Sequence, residues 1–338
     1  MEHSELKDTA SATPGGEIAA DYAAVTSGAG VCVLADRKVV RVVGDDRATF
    51  FHGMCSADVK SAAPGTVLPA LILTEHAHVI ADLFIWVMDD ALLLDVEVDA
   101  WTRARAHLER LLVADDVEFE EELELSIIDV EGPGASSAVR EFSGETPPVE
   151  KNWSHNGKTL GTPDVIVGKV PRYGAPAFSL IVQESAASKI VGRIVNGQPD
   201  AKQIGGEVLE VLCVENGIAR IGVDTGDKTI ALEARLNRAI SFNKGCYVGQ
   251  ETIERATARG ALKKGMFGLR VGGNRVPTRG SVVNLQGKEV GRIGSSEWSP
   301  RFGAIALAIL HHSAWAPGTR VSIGESDDAA TVSDLPFA

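Results

Sequence analysis

The chain has 338 residues, 44% of them apolar, with 35 glycines, 5% aromatics and a net charge of −13. That length suits two or three cores, and the acidic balance argues against broad electrostatic binding to nucleic acid or anionic lipid, leaving room only for a local basic pocket. Four scattered cysteines, Cys32, Cys55, Cys213 and Cys246, form no C-x-x-C pair; this fits free thiols in a reducing, cytoplasmic setting rather than a disulfide framework or a structural zinc site.

Residues 1–16 are polar, lack the apolar core of a signal peptide and read as a flexible tail. No run approaches the roughly 18 apolar residues of a membrane helix. Ile18, Tyr22 and Val25 recur at helical spacing, and Gly28 and Gly30 end that helix. Val31–Leu34 and Val39–Val43 then read as a hairpin. Asp45 or Asp46 is placed to cap a short helix that buries Phe50 and Phe51, with His52 and Cys55 at its end. Leu68–Leu73 and Val79–Val87 are strands around a turn carrying His76 and His78, and Ala91–Val96 is a third. Asp82 interrupts an otherwise apolar strand. A carboxylate there is costly unless it is exposed, paired or hydrogen-bonded, so it needs a reason.

From Asp99 to Val113, Trp101, Ala104, Leu108, Leu111 and Leu112 form one helical face, with arginines largely opposite. The glutamates of Val117–Ile128 suggest a solvated acidic surface, and polar residues 143–161 read as an inserted surface segment. Strands at 165–170 and 178–182 flank Arg172-Tyr173-Gly174, and helices follow at 185–195 and 207–215. After Gly260, five short strands separated by glycine turns predict a small antiparallel barrel over 261–326, with 327–338 as a tail. The order of elements implies an α+β fold. Residues 17–260 form one region of two interleaved parts, 17–45 with 127–260, and 46–126.

The chemistry concentrates in Lys244-Gly245-Cys246-Tyr247-Val248-Gly249-Gln250-Glu251. Glu251, Arg255 and Arg259 lie four apart on a helix beginning at Gln250, with Gly260 at its end. A helix start and the nearby Lys244 both favour a Cys246 thiolate. An inert, buried thiol is the other reading of the same residues.

This block resembles the K-G-C-[FY]-x-G-Q-E signature of the YgfZ family, folate-binding proteins related to the T-protein (aminomethyltransferase) of the glycine cleavage system. Gly44–Val59 is similar to a second block of that superfamily, and Asp82 falls on its G-x-v-x-D-l aspartate. Glu215, Gly217, Gly222 and Asp224 fall on its R-x-E-x-G-x-x-x-x-G-x-D pattern, with Cys213 where arginine is usual. Beside Tyr173 the chain lacks the glutamate that contacts the pterin ring in the T-protein.

The resemblance implies a multi-domain GcvT-like fold around a central cavity for tetrahydrofolate or a one-carbon derivative. It gives Asp82 and Cys246 catalytic roles. The implied cofactor contacts are Lys244, Gly245, Tyr247, Gln250, Glu251, Arg255, Tyr173, Glu215 and Asp224, with no metal ligands. The implied partners are folate and iron–sulfur enzymes or their assembly proteins, including enzymes that modify tRNA, with no membrane and no direct nucleic-acid contact. A one-carbon transferase or demethylase, and a ligand-free scaffold, are the competing readings.

Overall fold

The computed structural model describes residues 16–121, 123–143, 153–157, 165–174, 176–260, 262–324 and 328–338. The expected tail at 1–16 lies almost wholly outside them. Helix α1 (Gly16–Ser27) leads into β1 (Ala29–Val33) and β2 (Arg37–Val43). Helix α2 (Arg47–Met54) precedes the meander β3 (Val67–Leu73), β4 (Val79–Val87) and β5 (Leu92–Glu97). Next come α3 (Val98–Leu111), β6 (Glu118–Glu120), β7 (Leu125–Glu131) and α4 (Ala135–Ser143). Strands β8 (Ser154–His155), β9 (Ile166–Lys169) and β10 (Ala177–Gln183) follow, then α5 (Glu184–Gly197), β11 (Ala201–Gln203), α6 (Gly206–Asn216) and α7 (Gln250–Arg259). The last region is β12 (Lys264–Val271), β13 (Val282–Leu285), β14 (Lys288–Ser299), β15 (Gly303–His311), β16 (Arg320–Ile323) and β17 (Asp328–Ser333).

These strands make a sheet β11-β1-β7-β10-β9-β8, a sheet β3-β4-β5-β2-β6, and a closed barrel β12-β15-β14-β13-β16-β17. The fold is mixed α+β, as expected. The two sheets share a core in which Phe84, Trp86 and Leu93 meet Ile127, Ile166 and Ile181. Outer faces are closed by helices: α3 buries Trp101, Ala104 and Leu108 on one sheet, and α5 buries Ile190, Val191 and Ile194 on the other. Each of the larger side chains contributes roughly 1.5–3 kcal/mol of burial. Among the described residues, no helix is long and apolar enough to cross a membrane.

Three local expectations are corrected. The β1–β2 hairpin does not form: β1 pairs with β7 and β11, while β2 pairs with β5 and β6 in the other sheet. Apolar alternation marks a strand but not its partner. Residues 328–338 are not a loose tail, because β17 pairs with β12 and β16 and closes the barrel. Ala330 and Val332 alternate into its core, and Phe337 is buried. The described part of the supposed surface insertion, 153–157, adds β8 to the sheet edge, with His155 buried and Trp153 stacked on Phe84 at 5.8 Å.

Candidate functional site

The β1–β2 crossover opens a gap between the sheets, and α6 covers it. The result is a cavity of about 320 Å³. Asp82 and Phe84 enter it from β4, Arg172 and Tyr173 from the loop before β10, and Cys32 and Cys213 from β1 and α6. Asp36, Arg37, Glu97, Glu210, Arg220 and Arg238 complete the charged part of the wall. Because strand side chains alternate, Asp82 and Phe84 share one face of β4.

One buried ion network holds this wall. Asp95 Oδ1 accepts from Arg37 Nε at 2.5 Å, and its Oδ2 accepts from Arg172 Nη2 at 2.6 Å. Arg172 Nε donates to Asp129 Oδ2 at 2.8 Å, and Ser179 Oγ donates to Asp129 Oδ1 at 2.5 Å. Burial alone would raise Asp95, but the Arg172 and Arg37 guanidiniums outweigh it and hold the carboxyl below its ordinary range. Arg172 also stands 4.4 Å from the Phe84 ring centre, within cation–π reach. Burial, with the Asp82 charge next, raises Glu97. Burial pushes the Cys32 thiol up to about 11 and Cys213 higher still, so both cavity thiols are neutral at physiological pH. Tyr173 is likewise raised by burial and keeps its phenol proton.

The Lys244–Glu251 motif lies elsewhere. None of its residues lines the cavity. Lys244 is buried, and its ammonium donates to the carbonyls of His52, Cys55 (2.8 Å) and Ala57 (2.7 Å). It thereby satisfies carbonyls at and just beyond the C-terminal end of α2, where a cation is favoured. Its expected roles beside Cys246 and at a ligand carboxylate are therefore corrected: the charge is committed to the backbone. Tyr247 packs beneath it, with Lys244 Nζ 4.9 Å from the ring centre. Gly249 needs its φ of +89°, and an added Cβ would meet the Thr74 carbonyl oxygen at 2.7 Å. Gln250 Oε1 accepts from the Tyr247 amide at 3.2 Å, and Glu251 and Arg255 form an exposed pair at 2.5 Å. Gly245 and Cys246 are exposed, unlike the other three cysteines.

Glu215 and Asp224 also leave the cavity. Glu215 Oε1 accepts from Tyr22 Oη at 2.9 Å and from Ser299 Oγ at 2.5 Å, tying α1, α6 and β14 together. Asp224 accepts from the Ser295 amide (2.6 Å) and hydroxyl (2.8 Å) and so docks its loop on the barrel. Of the expected contacts, the cavity brings together Asp82 and Tyr173 alone. Sequence reasoning passed over Arg37, Glu97, Arg172 and Arg238. Asp95 and Asp129 carry the same signal that singled out Asp82, an acid inside an apolar strand, and they lead to Arg37 and Arg172. Among the described residues, no three His, Cys, Asp or Glu side chains converge as metal ligands.

The family model for the GCVT N-terminal domain matches residues 12–244, and that for the glycine cleavage T-protein C-terminal barrel domain matches 264–338. The chain belongs to the GCVT family. A putative chloroplastic transferase of Arabidopsis thaliana is 27% identical over 312 residues, covering 88% of this chain and 68% of the relative. An aminomethyltransferase of Rubrobacter xylanophilus is 24% identical over 95% of this chain and 86% of its own length. The tRNA-modifying protein YgfZ of Yersinia pestis is 24% identical over 75% of this GCVT-family chain and 74% of its own. The crystal structure of aminomethyltransferase T from Bartonella henselae superposes with a TM-score of 0.85 at 18% identity, covering 95% and 89% of the two chains. It shares the fold.

Proposed function

We propose that this GCVT-family protein binds tetrahydrofolate in the Asp82 cavity and acts in the YgfZ manner, supporting iron–sulfur enzymes, including those that modify tRNA, through Cys246. The observation that carries the reading is Asp82 facing, with Tyr173 and Phe84, a cavity whose wall also carries four guanidiniums. A carboxylate suits the N–H groups of a reduced pterin, the aromatics suit its flat ring, and free guanidinium N–H groups suit its oxygens. The volume of about 320 Å³ lies at the small end of ligand cavities; it fits a bicyclic ring whose arm leaves through the mouth. Bound there, tetrahydrofolate would supply a one-carbon carrier nitrogen. The exposed position of Cys246, outside the cavity, favours a thiol that meets a partner protein over one that attacks the folate.

The aminomethyltransferase relatives support a second reading, transfer of a one-carbon unit to tetrahydrofolate with Asp82 orienting the accepting nitrogen. Anaerobic calorimetric titration with tetrahydrofolate tests both. Saturable binding is expected for the reduced protein. Cys246→Ala is expected to bind equally well yet fail to sustain an iron–sulfur enzyme in cells that depend on this protein. Absence of heat up to millimolar ligand overturns the folate reading, and full support by Cys246→Ala overturns the thiol's role.

A further inference from the structure

Four guanidiniums line the cavity, and three are neutralised. Arg37 pairs with Asp95, Arg172 with Asp95 and Asp129, and Arg220 with Glu210. Arg238 differs. Among the described residues it has no carboxylate at ion-pair distance, and Nη1 and Nη2 share one acceptor, the Arg172 carbonyl, at 3.3 Å each. The three neutralised guanidiniums are held by protein acids, whereas Arg238 keeps donors for something else.

Its placement explains why it stays available. Arg238 sits on the short 3-10 turn Leu236–Ala239, whose Leu236 and Ala239 are buried and anchor the turn. The side chain between them is exposed and forms part of both the main cavity and an adjoining cleft with Ile218 and Ala219, so it stands where the two meet. Asp82 lies close enough for its charge to act on Arg238, yet the two make no ion pair. Acid and base therefore face the cavity as separate poles, an arrangement that fits a ligand offering N–H to one and oxygen to the other. Cys213 lines the same cavity, and the Arg238 charge is felt at its sulfur. Position 213 is where the family pattern carries arginine.

We propose that Arg238 grips an oxygen of the bound folate, and that it supplies from the 3-10 turn the guanidinium that α6 lacks at Cys213. The oxygen is a carboxylate of the arm or the carbonyl of the ring. This inference rests on the folate reading above and adds the specificity-determining residue.

The test is anaerobic calorimetry with tetrahydrofolate and with tetrahydrobiopterin, which has the ring but no arm. The proteins are wild type, Arg238→Ala, Arg238→Lys and the double variant Arg238→Ala with Cys213→Arg, each checked for an unchanged melting transition. Arg238→Ala is expected to weaken tetrahydrofolate at least about tenfold, or about 1.4 kcal/mol. Arg238→Lys recovers only part, since an ammonium lacks the planar fork. The double variant recovers affinity if position 213 addresses the same oxygen. Weakening confined to tetrahydrofolate identifies the arm carboxylate, and equal weakening of both ligands identifies the ring carbonyl. Wild-type binding with Arg238→Ala within twofold of it for both ligands overturns this inference and leaves the folate reading standing. A wild type that binds neither ligand overturns both.

Discussion

Asp95 accepts from Arg172 at 2.6 Å with neither side chain open to solvent, and that contact joins one sheet to a loop of the other. Removing one partner strands a buried charge, which costs far more than the pair contributes. Asp95→Ala is expected to lower the unfolding free energy by about 3–5 kcal/mol in urea titrations at neutral pH. A loss below about 1 kcal/mol would mean the network is dispensable. The sign with pH follows from the lowered Asp95 value. Its stabilisation is present above the unfolded carboxylate range near pH 3.9 and is lost as pH falls through the lower folded value.

Glu131 is the opposite case. It is fully buried on β7, and among the described residues neither carboxyl oxygen has a hydrogen-bond partner. Burial, with the Asp129 charge next, raises it well above the ordinary range. Its stabilising contribution is present in full below the unfolded value near pH 4.3 and is lost as pH rises through the folded one. Glu131→Leu is expected to gain about 1–3 kcal/mol at neutral pH, with the gain shrinking toward pH 4. Stability curves that stay parallel across that range would defeat the assignment.

Lys244→Met should behave as a stability variant. Each charged hydrogen bond to a carbonyl contributes about 1.5–3 kcal/mol, and three carbonyls lose the Lys244 ammonium together. A fall of at least that size in unfolding free energy is expected, with ligand affinity unchanged. Weaker tetrahydrofolate binding by a folded variant would return Lys244 to the ligand site.

Iodoacetamide should label the native protein at Cys246 alone, since Cys32, Cys55 and Cys213 are buried. Burial also pushes the Cys32 and Cys55 thiols up to about 11. Peptide mapping before and after unfolding checks this. Native labelling of Cys213 would show that the cavity opens widely.

Gly249→Ala combines a positive φ with a Cβ 2.7 Å from the Thr74 carbonyl oxygen. A cost of about 1–3 kcal/mol from backbone strain is expected, together with loosening of the turn before β4. Thermal melts and amide exchange at residues 74–79 report it, and an unchanged melt would show that the turn yields freely.

Local patterns in the sequence were enough to place α3, α7 with Gly260 at its end, the barrel strands through Ile323, and Asp82 as an acid needing a reason. Periodicity, capping and turn chemistry act over a few residues, so they are legible in the chain itself. The motif at 244–251 likewise marked the family. Pairing was decided only by the tertiary structure. Val31–Leu34 and Val39–Val43 look like a hairpin, yet each pairs in a different sheet, and residues 32–37 between them line the cavity. Charge assignment followed the same rule. Lys244 reads as a neighbour of Cys246 but turns inward to α2, while Arg37, Arg172 and Arg238 meet from positions up to 201 residues apart. Buried ions go to whichever partner lowers their desolvation cost, and that partner is set by packing rather than by proximity along the chain.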